Sequence, residues 1–185
     1  AFTTFANGGA GVVPHVVKRI TARDGTLLYE RRGSGIGEVM SGAQAGAMNY
    51  MLREVITAGT GTKAALAGVD VAGKTGTSQN YRDAWFIGYS AYYTLTVWTG
   101  NDNNTPTKRV TGGGLPALIW KDVMAPAHKN LAWKPLPGEL VDDRMADMPR
   151  ESLFELFGQL FRADPSPQPQ NRPRNLMEWW NGLQR

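Results

Sequence analysis

Apolar residues occupy every second position in two neighbouring segments, with Trp85, Ile87 and Tyr89 in the first and Tyr93, Leu95 and Val97 in the second. This alternation is typical of β-strands, and only residues 90–92 separate the two segments. An extended pattern from Val69 to Thr77 precedes them. The spacing therefore predicts an antiparallel meander of three consecutive strands.

Two other segments have the apolar spacing of amphipathic helices. The first has Ser41 as a suitable N-cap and ends before Gly59, with apolar residues at Met48, Met51, Leu52, Val55 and Ile56. The second has Leu115, Leu118, Ile119 and Val123 at helical spacing, with Pro116 in the favourable first turn. We expect the second helix to cover one face of the sheet.

The N-terminal strands are expected to form the first part of the same sheet. Residues 1–7 are typical of the last turns of a helix, closed by Asn7-Gly8, so further sequence is expected to precede Ala1. Residues 12–20 are extended, Asp24-Gly25 predicts a hairpin turn, and residues 33–37 are predicted to form a loop. The predicted fold is α/β (α+β): an antiparallel sheet packed against helices.

The chain changes character at Lys134. Prolines and acidic residues become frequent, so we divide the chain into a body, residues 1–133, and a Pro-rich C-terminal tail, residues 134–185. Within the tail, one apolar stripe on a short amphipathic helix is predicted over residues 151–163: Leu153, Phe154, Leu156, Phe157, Leu160 and Phe161. The stripe is expected to dock on the body, to bind a partner protein or to lie on a membrane surface.

Charge and composition limit the kinds of ligand and metal site that the chain is expected to have. The net charge is +4, concentrated in the body without a polybasic run, which suits an anionic substrate or surface at least as well as nucleic acid. We expect no nucleic acid partner. The chain has no Cys, and its two His, His15 and His128, lie far apart, so we expect no disulfide, metal or cofactor site and no Ser-His-Asp triad. Asp102-Asn103-Asn104 lacks the Gly and Glu of a calcium loop and is interpreted as a turn.

The densest group of reactive side chains lies at Gly73-Lys74-Thr75-Gly76-Thr77-Ser78. On a strand, Lys74, Gly76 and Ser78 would face one side, and Thr75 and Thr77 the other. The ammonium can anchor an anion or relay a proton, the hydroxyls can bind a carboxylate, and a main-chain N–H can stabilise an oxyanion. Gly76 allows a substrate backbone to approach closely. These are the groups that an acyl-transfer site needs besides its nucleophile, which makes Lys74 and Thr77 candidate catalytic residues. Thr75, Gly76, Thr77 and Ser78 are candidate substrate-binding residues.

Lys-Thr-Gly is a signature of penicillin-binding proteins and class A β-lactamases. Further blocks appear in the family's order: Phe5-Ala6-Asn7-Gly8-Gly9, Met51-Leu52, Thr60-Gly61-Thr62, residues 83–89, Trp98-Thr99-Gly100-Asn101-Asp102 and residues 113–117. Residues 1–128 thus resemble the C-terminal part of the transpeptidase domain of class A, bifunctional penicillin-binding proteins.

This resemblance implies a serine D,D-transpeptidase of the bacterial cell envelope, on the periplasmic face of the inner membrane. Such an enzyme cross-links peptidoglycan stem peptides and is acylated by β-lactams. The resemblance further implies that Lys74 serves the electrostatic and proton-transfer network, and that the Thr75 and Thr77 hydroxyls bind the substrate carboxylate. It also implies that the Thr77 main-chain N–H is an oxyanion donor, and that Asp83 and Trp85 are structural.

The chain departs from the family pattern in one respect. None of its serines is followed by Lys at the Ser-x-x-Lys spacing, and Ser78-Gln79-Asn80 matches Ser-x-Asn only by coincidence. In the family both signatures lie upstream of the matched blocks. We therefore expect the 185 residues alone to be inactive and to need the preceding segment of the same protein, covalently joined or as a separate chain.

Three alternatives remain open. A serine β-lactamase-like hydrolase would share the Lys-Thr-Gly residues, and a non-catalytic binding module is compatible with the missing nucleophile. Residues 68–75 also satisfy the phosphate-binding pattern Gly-x₄-Gly-Lys-Thr, which requires a helix beginning at Thr75. The aromatic residues Trp85, Tyr89, Tyr93 and Trp98 are expected to pack in the core or between strands.

Overall fold

The computed structural model describes residues 1–33 and 35–138, so the predicted stripe at 151–163 lies outside the described residues. The chain forms, in order, α1 (Phe2–Ala6), β1 (Ala10–Val12), β2 (Arg19–Thr21), β3 (Leu27–Glu30), β4 (Gly35–Glu38), α2 (Gly42–Thr57), β5 (Ala72–Thr77), β6 (Asp83–Tyr89), β7 (Thr94–Gly100) and α3 (Leu115–Ala127). Short 3₁₀ turns lie at Thr62–Ala64 and Gln79–Tyr81. Helices and antiparallel strands are thus mixed, as predicted.

The predicted meander is the central sheet. Strands β5, β6 and β7 are antiparallel neighbours in that order, which confirms the three-strand prediction. Cross-strand partners share a face, so Thr75 lies on the side of Phe86, whereas Gly76 lies on the side of Trp85 and Trp98. The first side is buried under α3 and the second is partly open to solvent.

The N-terminal strands form two small sheets of their own. Strand β2 pairs only with β3 around the Asp24-Gly25 turn, and β1 pairs with β4. The prediction that the hairpin begins the central sheet is therefore wrong, as is the prediction of a loop over residues 33–37, because β4 begins at Gly35. The physical reason for the first error is that every residue of β2 and β3 is exposed, the apolar Ile20 and Leu28 included, so the hairpin does not pack on the central sheet.

Both predicted helices are confirmed, α2 with both of its predicted ends and α3 with Pro116 in its first turn. Helix α2 begins after a capping box in which the Ser41 hydroxyl accepts from the Gln44 N–H and the Gln44 side chain accepts from the Ser41 N–H. Helix α3 covers the sheet through Trp120, which is fully buried. The Trp120 indole donates to Gly88 O at 3.2 Å and to Leu95 O at 3.1 Å, and its ring packs edge-on against Phe86. Helix α3 is therefore fixed across β6 and β7.

A second cluster closes the other side of the sheet. Leu52 of α2, Ala72 of β5, Tyr89 of β6 and Leu136 are buried together, with α1 packed against them. Leu136 belongs to the predicted tail, yet residues 134–138 are packed on the body: Pro137 O accepts from the Asn49 amide, and Gly138 lies against α2. The last described residues therefore help to hold the body together.

Polar groups in this cluster are paired. Asn49 is 1% exposed, and its amide also donates to Phe5 O while its Oδ1 accepts from the Tyr89 hydroxyl at 2.6 Å. Burial raises the pKa of Tyr89, which keeps the phenol a donor.

Partial burial opposes ionisation of Asp70, but the paired Arg53 guanidinium and the Leu136 N–H outweigh it and hold the pKa of Asp70 below its usual value. The hydrogen bond to Asp70 raises the pKa of Arg53, although burial acts in the opposite direction.

Candidate active site on the free edge of β5

Strand β5 presents one backbone edge that has no strand partner among residues 1–33 and 35–138. It is an outer strand of the central sheet, and the Ser78 N–H donates to Asp83 O at 2.9 Å. Bonded and non-bonded pairs alternate along an antiparallel ladder, so the backbone groups of Thr77 and Thr75 point away from β6. The Thr77 N–H therefore lies at the free edge, available to an external acceptor.

The Lys74 ammonium lies at the same edge. Its side chain is exposed, and Nζ donates to Thr75 O at 2.8 Å. Within residues 1–33 and 35–138, Lys74 forms no ion pair with a carboxylate. The charge is therefore available to a negative ligand that approaches along β5, and the bond to Thr75 O holds it close to the strand.

Two loops hold the hydroxyls of β5. Thr75 Oγ1 lies 2.6 Å from Oγ1 of Thr60, in the loop that follows α2. Thr77 Oγ1 accepts from the Gly112 N–H at 3.1 Å. Each of these two hydroxyls is thus fixed by a residue that is distant in sequence.

The loop before α3 packs directly against β5 because its glycines have no side chains. A Cβ on Gly112 would lie 2.2 Å from Trp85 O and 2.5 Å from Gly76 O. A Cβ on Gly113 would lie 1.9 Å from Thr60 O. The loop can reach both the strand and the Thr60 loop only with glycine at these two positions.

Ser78 has a local structural contact. Its hydroxyl accepts from the Asp83 N–H at 2.8 Å and donates to Asp83 Oδ2 at 3.2 Å, while Asp83 Oδ1 accepts from the Trp98 indole. Trp98 and Trp85 face each other across β6 and β7 with ring centroids 6.2 Å apart, so the predicted packing between strands is confirmed for this pair. Ser78 and Asp83 together fix the turn that closes β5.

All the predicted site residues from Lys74 to Ser78 lie on or directly after β5. Sequence reasoning missed the contacts of Thr60 and Gly112, which lie 15 and 35 positions from their partners. The only local signal is an unusual density of glycine around both, at Gly59 and Gly61 and at Gly112-Gly113-Gly114. Glycine clusters beside a predicted strand would have pointed to close backbone packing.

The nucleotide-binding alternative is wrong. A strand, β5, occupies Ala72–Thr77 where the phosphate-binding pattern requires the start of a helix, so no helix N-terminus faces Lys74. Asn101 to Asn104 form the predicted turn, closed by the Asn104 N–H donating to Asn101 O. Among the described residues there is no cluster of metal-ligating side chains, and no helix is long and apolar enough to cross a membrane.

Comparison with known proteins gives this edge a context. Residues 1–125 match the family described as the penicillin binding protein transpeptidase domain. The chain belongs to this family. Penicillin-binding protein 1A of Clostridium tetani is 38% identical over 141 residues, which cover 72% of this chain and 18% of the relative. This chain therefore spans less than a fifth of the length of that relative, and the resemblance to class A proteins inferred from the blocks is confirmed.

Solved structures agree. The D,D-transpeptidase domain of a peptidoglycan glycosyltransferase from Eggerthella lenta matches with a TM-score of 0.58 and 26% identity, over 69% of this chain and 30% of that one. Penicillin-binding protein A of M. tuberculosis, solved as an imipenem acyl-enzyme complex, matches with a TM-score of 0.51 and 26% identity, over 65% and 28%. The fold described above is therefore that of part of a transpeptidase domain.

Proposed function

We propose that this chain is one wall of the active site of a serine D,D-transpeptidase that cross-links peptidoglycan stem peptides. The observation that carries the proposal is the free edge of β5, where the Lys74 ammonium, the Thr77 N–H and two anchored hydroxyls lie together. Acyl transfer to a serine requires this set of groups beside its nucleophile.

Each group has a distinct role in the proposal. The Thr77 N–H donates to the oxyanion of the tetrahedral intermediate, and Lys74 stabilises negative charge and takes part in proton transfer. The Thr75 and Thr77 hydroxyls bind the substrate carboxylate, and Gly76 lets the ligand backbone approach the strand. Ser78, whose hydroxyl is engaged by Asp83, serves the substrate site by fixing the end of β5.

The ligands follow from this chemistry. A β-lactam carries a carboxylate and a strained acyl group, and the imipenem acyl-enzyme of the M. tuberculosis relative supports β-lactams as acylating ligands. The stem peptide offers the same two features in its terminal carboxylate and its acyl carbon. The site thus acts on peptides in the bacterial cell envelope, on the periplasmic face of the inner membrane.

The nucleophile comes from elsewhere in the proposal. No Ser in the chain has the Ser-x-x-Lys spacing, so the preceding segment of the same protein, covalently joined or as a companion chain, supplies the serine and its lysine. We call the chain together with that segment the complete enzyme. Residues 1–138 provide one wall of its active site, and a partner protein for the tail stays a prediction from the sequence.

The test is acylation of the complete enzyme by a fluorescent penicillin. Lys74→Ala should lower the acylation rate at least about 100-fold, because it removes both the charge and the proton relay, with the melting temperature retained. Lys121→Ala, on the exposed side of α3, is the matched control and should label normally.

Two results would contradict the proposal. Near-normal labelling of the Lys74→Ala enzyme would contradict the catalytic role of β5. Absence of labelling of the complete wild-type enzyme would favour a non-catalytic binding module. Rapid release of the hydrolysed antibiotic, in place of a persistent acyl-enzyme, would indicate a β-lactamase-like hydrolase. The isolated 185-residue chain should not be labelled.

A further inference from the structure

We propose that Thr60 is a positioning residue for recognition of the ligand carboxylate. Its hydroxyl donates to Thr75 Oγ1, which leaves the hydrogen of Thr75 free to donate to the ligand. The inference rests on the proposed function of β5 and adds a residue outside the Lys-Thr-Gly strand. It also assigns a direction to the hydrogen bond between the two threonines.

The backbone of Thr60 is fixed by contacts on both sides. The Gly61 N–H donates to Val55 O at 2.7 Å, which ties the loop to the end of α2. On the other side Thr60 O lies so close to Gly113 that a Cβ there would be 1.9 Å away. The loop therefore has little freedom, and the Oγ1 atoms of Thr60 and Thr75 are held 2.6 Å apart.

Counting hydrogens gives the direction of the bond once a carboxylate is present. Each hydroxyl has one hydrogen to donate, and a carboxylate can only accept. If Thr75 donates to the ligand, the short contact to Thr60 must be made by the Thr60 hydrogen. Donation to Thr75 Oγ1 also polarises the Thr75 O–H and strengthens its own donation.

Thr77 has the same arrangement. Its Oγ1 accepts from the Gly112 N–H, so its hydrogen is likewise free to donate away from the protein. Two adjacent hydroxyls of one strand are thus each supplied with a donor from a separate loop. The two supports act alike: each fills an acceptor position of the hydroxyl and leaves its hydrogen for the ligand.

Stability does not explain the Thr60 hydroxyl. Thr60 is exposed, and a hydroxyl pair at the surface exchanges bonds with water at little net gain. The nearby Thr57 offers a comparison: it is also exposed, and its hydroxyl bonds to Glu54 within α2, away from β5. Thr57→Val is therefore the matched control for Thr60→Val.

The experiment measures the second-order rate constant of acylation in the complete enzyme with a reactive β-lactam and with its carboxylate methyl ester. For the free acid, Thr60→Val should lower this rate constant about five- to tenfold. This is the loss expected when the Thr75 hydroxyl, which donates to the charged carboxylate, loses its hydrogen bond from Thr60. Thr60→Ser, which keeps the hydroxyl, and Thr57→Val should stay within about twofold of wild type. For the ester, Thr60→Val should have no effect.

A double-substituted enzyme tests the same inference with the free acid alone, so the result does not depend on how reactive the methyl ester is. In a Thr75→Val background, adding Thr60→Val should change acylation by the free acid less than twofold, because the group that Thr60 orients is gone. Equal losses for acid and ester, or full additivity with Thr75→Val, would overturn the inference. If the wild-type complete enzyme is not acylated at all, the proposed function fails instead, so the two failures are distinguishable.

Discussion

The two ends of β5 differ in how their polar surroundings are satisfied. At the Ala72 end the strand is buried, and the polar groups around it, Asn49 and Tyr89, bond to each other and to backbone carbonyls. At the Thr77 end the strand is partly exposed, and its edge holds an ammonium and two hydroxyls, one 2.6 Å from Thr60 Oγ1 and the other accepting from the Gly112 N–H.

This difference separates stability from chemistry along a single strand. The buried end is held by contacts that span the chain, from α1 to residues 134–138. Two glycine-containing loops hold the exposed end while leaving its edge open. Substitutions at the buried end should therefore change the free energy of unfolding, and substitutions at the exposed end should change acylation. The following predictions test this division.

The largest effect is expected for Asn49→Ala in the buried end. The change leaves the Tyr89 hydroxyl without its acceptor, and Phe5 O and Pro137 O without their donor, in a site that is 1% exposed. We expect a loss of about 3 kcal/mol in the free energy of unfolding. Chemical denaturation of the complete enzyme measures it, and the acylation rate of the folded fraction should remain normal. A loss of acylation without a loss of stability would break the division.

Gly112→Ala should show the opposite behaviour at the exposed end. The added Cβ would meet Trp85 O and Gly76 O, so the loop must move and Thr77 must lose the Gly112 N–H. We expect about a 30-fold slower acylation, equivalent to about 2 kcal/mol of barrier. Gly42→Ala, where a Cβ would meet nothing, is the matched control. A normal acylation rate with a lower melting temperature would mean that this loop contributes to stability and not to acylation.

Asp70→Asn should weaken the buried end in a pH-dependent way. The pKa of Asp70 is lowered in the folded state, so its ion pair with Arg53 contributes fully above the unfolded value of about 3.9 and is lost as the pH falls through the folded value. We expect the variant to be less stable by about 1.5 kcal/mol at pH 7. The difference should persist to about pH 5 and shrink below about pH 3.5. A difference independent of pH would contradict the ionic origin.

The smallest effect is expected for Tyr89→Phe. The ring contacts with Phe2 and Phe5 remain, and only the hydroxyl bond to Asn49 is removed. We expect a loss of about 1 kcal/mol in unfolding free energy and no change in acylation. A loss as large as that of Asn49→Ala would mean that the phenol, and not the amide, organises the cluster.

Patterns with a local cause could be predicted from the sequence. Alternation predicted β6 and β7, and Ser41 with Gly59 predicted the ends of α2, because a cap and a helix stop act within a few residues. Strand β4 was missed because its glycines are typical of a loop, and its pairing partner, β1, is distant in sequence. Sheet membership of the N-terminal hairpin was wrong for the same reason: pairing depends on tertiary contacts.

The site shows the same limit. Lys74, Thr75 and Thr77 could be proposed from residue type and the Lys-Thr-Gly signature, but the contacts that hold the two hydroxyls could not be predicted. Thr60 and Gly112 contact β5 only after three separate segments have packed together. The glycines around them indicate close backbone packing, but residue type alone does not indicate which residues of β5 they contact.

The Asn49 side chain also has a consequence for the order of folding. Its amide joins Phe5 and Pro137, which lie 44 positions before it and 88 positions after it. On the ribosome, Phe5 and Asn49 emerge before Pro137, so the Asn49 amide can make its second bond only after Pro137 has left the exit tunnel. Closing so long a loop costs entropy before the bond can form. Helix α1 should therefore be one of the last of the described elements to become immobile, with φ-values near zero at Phe2 and Phe5.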